Sequence, residues 1–175
     1  MDAASELRRL EASEGRAEGT LSSPRLRAFF ECWLDTFVFD GAIDARLREQ
    51  AILRIMWRRG RAYEWGNHYR LARRSGLTDD EIIAVRTDDV IRDFSGPESA
   101  VLRAADDVVD GGCVSPATMS DLRVMFADAN LLQEFLYLVA GYQMFATVSA
   151  STRDRAGDAD GPTWPPDGIG PETSA

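Results

Sequence analysis

The chain has 175 residues, a net charge of −9 and 45% hydrophobic residues, which predicts a single domain with enough material for a core. Its field repels phosphate, so nucleic acid and anionic membrane surfaces are excluded as partners. All 20 basic residues are arginine, leaving no amine for Schiff-base chemistry or lysine-anchored pyridoxal phosphate.

Residues Met1 to Ser22 are polar and interrupted by Gly15 and Gly19, and read as a mobile arm. They lack the apolar stretch of a secretory signal, and a cytoplasmic location is expected. Cys32 and Cys113 match no metal or redox spacing and read as incidental thiols of a reducing compartment. The helical domain is expected over residues 23–150. Ser23-Pro24 supplies a cap and a first-turn proline for a helix to about Phe39, with Leu26, Phe29, Phe30, Trp33, Leu34 and Phe37 as its core face.

Gly41 breaks that helix and Asp44 starts the next, to about Arg59. Gly60 allows a turn into a helix over Ala62 to Ser75, which Gly76 ends. Thr78 and Glu81 form a capping box for a short helix through Ile82, Ile83 and Val85. A loop at Arg86 to Gly96 leads to a helix begun by Pro97 and stopped by Gly111-Gly112. Ser115-Pro116 repeats the cap-plus-proline device for Ala117 to Ala127, whose apolar residues are Met119, Leu122, Val124, Met125 and Phe126. No strand pattern appears, so the fold class is all-α, with about six to seven helices. Leu131 to Ala150 is apolar almost all round and is expected to be the central, most buried helix. Its polar residues, Gln133, Glu134, Tyr137, Tyr142 and Gln143 among them, argue against a membrane span. From Ser151 the composition turns to Thr, Asp, Gly and Pro, and a disordered or draped tail is expected, with Trp164 as its one anchor.

The hairpin over Arg48 to Gly76 breaks the local rules twice. At about 100° per residue, Leu71, Glu64, His68, Ala72, Trp65 and Tyr69 share one arc of the second helix, so the only histidine and a glutamate four residues before it lie on the apolar side. In the first helix Glu49 falls between Met56 and Leu53, while Gln50, Arg54 and Arg58 lie opposite, on the polar arc. A carboxylate in hydrocarbon costs several kcal/mol unless it is paired or protonated, and such violations mark functional sites. Burial raises a glutamate pKa and lowers that of a histidine, whereas pairing does the reverse. Glu49, Glu64 and His68 are therefore the candidate acid–base groups. A self-satisfied structural ion pair is the competing account of the same spacing.

The runs REQAIL, YEW, His68 and GLTDDEI closely resemble the carboxymuconolactone decarboxylase and alkylhydroperoxidase-D-like superfamily, over roughly Pro24 to Ser149. The resemblance matches the superfamily's glutamate to Glu49 and its histidine to His68. The two cysteine positions of the peroxidase branch fall on Arg61 and Glu64, so the pattern looks like the decarboxylase side. It implies a helical bundle, no cofactor and no metal; the lone histidine is also one short of the usual two-His metal sites. It further implies a homo-oligomer, trimer or hexamer, acting on a small acidic or lactone substrate. Arg48, Arg61, Trp65 and Tyr142 are the candidate substrate-binding residues, the arginines as carboxylate clamps. The expected function is cofactor-free acid–base catalysis, a decarboxylation or related lyase or isomerase step. A non-catalytic binder of the same fold and a thiol peroxidase using Cys32 or Cys113 are the alternatives.

Overall fold

The structure, a computed structural model, describes residues 23–87, 94–152 and 167–171. Expectations for the N-terminal arm, for Trp164 and for most of the loop after Arg86 lie outside these residues. The described residues form seven α-helices and no strand. They are α1 (Pro24–Leu34), α2 (Ala45–Arg58), α3 (Ala62–Arg74), α4 (Asp79–Ala84), α5 (Gly96–Gly111), α6 (Pro116–Met125) and α7 (Ala129–Thr152). The chain divides into two compact units, Met1–Ala42 and Ile43–Ala175.

In the first unit Pro24 opens α1 as expected. The helix does not run regularly to Phe39, because Asp35–Phe39 forms a π-turn closed by Asp40 N–H to Asp35 C=O at 2.9 Å. A π-turn adds a residue per turn and rotates the following side chains out of phase. Burial along the apolar stripe is uneven: Trp33, Leu34 and Val38 are buried, while Leu26 and Phe29, which precede the π-turn, are exposed.

In the second unit the local signals act as read. Asp44 caps α2 by accepting from the Arg46 and Leu47 N–H groups. Gly60, at φ +63°, ends it in a left-handed turn, with the Arg61 N–H reaching back to Met56 C=O at 2.8 Å. Gly76 closes α3 the same way. Capping boxes start α4 at Thr78 and α5 at Ser95.

Two expectations are corrected by the packing. The central helix is α2, which packs against α3, α5 and α7. By contrast α7 leaves Tyr137, Met144 and Val148 exposed. Its apolar perimeter reflects composition, whereas centrality depends on how completely neighbouring helices cover an element. For the same reason Gln50 and Arg54, assigned to the polar arc of α2, are completely buried. Arg54 forms a bidentate pair with Asp106 of α5 at 2.7 and 3.0 Å and also donates to Val85 C=O. Gln50 donates to Glu98 of α5 at 2.9 Å. An isolated helix wheel cannot see that α5 covers this side with carboxylates. Val124, counted as apolar surface of α6, is also exposed. Among the described residues no helix is long and apolar enough to cross a membrane.

Candidate active site

A buried hydrogen-bonded cluster lies wholly in the second unit, where α2 contributes Arg48 and Glu49, α3 His68 and α7 Tyr142. Glu49 of α2 is completely buried, and each of its carboxylate oxygens accepts one hydrogen bond. Arg48 Nε donates to Oε1 at 2.9 Å, and His68 Nδ1 of α3 lies 2.7 Å from Oε2. Tyr142 of α7 places its hydroxyl 2.9 Å from His68 Nε2, with the two rings edge to face at 5.1 Å between centroids. Arg48, Glu49, His68 and Tyr142 thus form one continuous chain of hydrogen bonds, and its last two members are 7% and 4% exposed.

Desolvation pushes the Glu49 carboxyl up, but the charge and hydrogen bond of His68, helped by Arg48, outweigh it and hold the pKa below 4.5. Glu49 is therefore an anion at neutral pH and can only accept. That fixes the proton on His68 Nδ1 and directs Nε2 toward Tyr142. When the imidazole is neutral, Nε2 accepts the Tyr142 proton. When it is protonated, Nε2–H donates to the Tyr142 oxygen and leaves the tyrosine proton free to point elsewhere.

The other sequence candidates are placed differently. Glu64, half-buried one turn before His68, has a carboxylate with no hydrogen bond or ion pair among the described residues, so it does not share His68's proton directly. Arg61 turns its side chain to the backbone, donating to Arg59 C=O at 3.1 Å. Trp65 is fully buried, stacked on Tyr69 at 5.8 Å and 15°. Arg48 acts on the glutamate itself, and Tyr142 on the imidazole. Arg86, expected from the sequence to open a loop, is buried against Trp57 and Trp65. Nothing local marks it, since both rings reach it through tertiary packing.

Residues 25–107 match the model of the carboxymuconolactone decarboxylase family. This segment is a carboxymuconolactone decarboxylase family domain. It includes Arg48, Glu49 and His68, whereas Tyr142 comes from beyond the matched segment. Comparison with curated proteins and with solved structures gives no significant match. Both cysteines, Cys32 and Cys113, are exposed and unpaired to each other. Among the described residues no cluster of three His, Cys, Asp or Glu side chains has metal-binding geometry.

Proposed function

We propose that this decarboxylase-family protein is a cofactor-free acid–base catalyst that moves a proton on a small organic acid or lactone. The step is a decarboxylation or a related lyase or isomerase proton transfer. The observation that carries this reading is the buried chain Glu49–His68–Tyr142, in which a fixed anion orients an imidazole whose far nitrogen meets a hydroxyl. Loss of carbon dioxide leaves the bonding electron pair on the substrate carbon. Tyr142 delivers its proton to that carbon and takes the one on His68 Nε2, while Glu49 stays ionised and holds the ring. The reverse sequence starts from neutral His68 and makes Tyr142 the base. Glu64, whose carboxylate has no partner among the described residues, acts through the substrate rather than through the imidazole. The same reading includes a homo-oligomeric cytoplasmic protein.

The test is turnover of carboxymuconolactone followed by carbon dioxide release, with solvent deuterium incorporation for the proton transfer alone. His68→Ala is expected to lower the rate by roughly 10²–10⁴-fold, the usual contribution of a positioned acid–base group. Full turnover in His68→Ala would remove the reading.

A further inference from the structure

Arg86 follows α4 and is not part of the Glu49–His68–Tyr142 chain. Its side chain is 5% exposed, and its guanidinium carbon lies 4.6 Å from the Trp57 ring centroid and 4.8 Å from that of Trp65. The two centroids are 6.1 Å apart and the rings are inclined at 60°. That separation is too short for a sandwich, so the cation sits in a corner with an aromatic wall on two adjoining sides. Asp167 holds the Nη1 end, with oxygens at 2.9 and 2.8 Å. The Nε and Nη2 groups are buried and, among the described residues, have no hydrogen-bond partner.

Those two groups are not an arbitrary pair. The Nε–H and one Nη2–H of a guanidinium project side by side, at the spacing of the two oxygens of a carboxylate. A buried charged donor with no acceptor is costly, so this fork calls for a hydrogen-bond acceptor. A planar carboxylate matches the two parallel donors and adds one negative charge beside Asp167, where a phosphate dianion would add two. A phosphate dianion is tetrahedral and loses more hydration on entering an apolar corner. Trp65 precedes His68 by three residues on α3, which puts one wall of the corner a single helical turn from the imidazole.

We propose that the Nε–Nη2 edge of Arg86, walled by Trp57 and Trp65, is a binding site for the carboxylate of a small planar organic acid. The corner stands on its own geometry; its use as the anchor for a reacting substrate rests on the acid–base reading above.

The experiment is calorimetric titration of the full chain with benzoate, its neutral isostere benzamide and inorganic phosphate. Wild type is expected to bind benzoate at least tenfold more tightly than either control. Arg86→Lys, which keeps the charge and removes the fork, is expected to lose at least tenfold in benzoate affinity with an unchanged helical circular dichroism signal. His68→Ala is expected to bind benzoate as wild type does, whether or not the acid–base reading holds. No benzoate binding by wild type, or equal binding of benzoate and benzamide, would overturn the site and leave water as the occupant of the fork. These wild-type comparisons decide the matter even if Arg86→Lys fails to fold. Equal benzoate affinity in a folded Arg86→Lys would overturn it as well.

Discussion

At the residue scale, the site depends on a buried carboxylate whose cost is offset by two donors. The sign of its pH linkage follows from that. Because the native Glu49 pKa is depressed, its stabilising contribution is complete above 4.5 and is lost as pH falls through the lower native value. Urea unfolding of the wild type from pH 7 to pH 3 is expected to show stability falling in the acid range, and Glu49→Gln should flatten that fall. Tyr142→Phe removes the partner of His68 Nε2 and leaves a buried acceptor unsatisfied, which costs about 1–3 kcal/mol. Its loss of rate should exceed what that destabilisation predicts, and comparing turnover with the fraction folded separates the two. Glu49 and His68 were legible because a charge and an imidazole on apolar arcs contradict their surroundings. The partnership with Tyr142 was not, since 74 residues separate them and only the packing of α7 joins them.

At the element scale, α2 is held by ionic contacts with α5 as well as by its apolar faces. Asp106 accepts from both Arg54 and Arg58, and Arg58 also reaches Asp110 at 2.7 Å. Asp106→Ala would leave the buried Arg54 guanidinium without its carboxylate, and unfolding free energy measured in urea is expected to drop by about 3–5 kcal/mol. Replacing the pair together, as Arg54→Met with Asp106→Leu, should cost less, because no buried charge is stranded. The same helix carries Arg46, which pairs with Glu81 of α4 and Glu98 of α5 and so ties three elements at one end. Thr78→Ala removes the cap of α4 and should cost about 1 kcal/mol. Helix starts and stops were legible here because caps act within a few residues. The burial of Gln50 and Arg54 was not, because it depends on what α5 presents.

At the scale of the whole molecule, acid should loosen several contacts together. The hydrogen bond from Arg46, more than any other cause, holds Glu81 down at about 2. At Glu98 desolvation is opposed by donors from Ser95, Gln50 and Arg46, which leave its pKa lowered as well. Both carboxylates therefore stabilise the fold fully above 4.5 and lose that contribution as pH falls toward 2. The expected outcome is a melting temperature that changes little from pH 5 to 7 and declines steeply below 4, measured by circular dichroism at fixed ionic strength. Arg46→Ala should shrink that decline, since it removes a donor shared by both acids.

The all-helical class, the positions of the turns and the resemblance carried by Glu49 to Ile83 are properties of the sequence by itself. Caps, glycine turns and apolar periodicity act over one or two helical turns, and an amphipathic arc records which side must be covered. What covers it is a matter for the tertiary structure. Packing made α2 rather than α7 the centre, buried Arg54 against Asp106, completed the imidazole with Tyr142 and set Arg86 in a corner of two tryptophans. Each of these joins side chains distant along the chain, and their pairing energies exist only once the helices have docked.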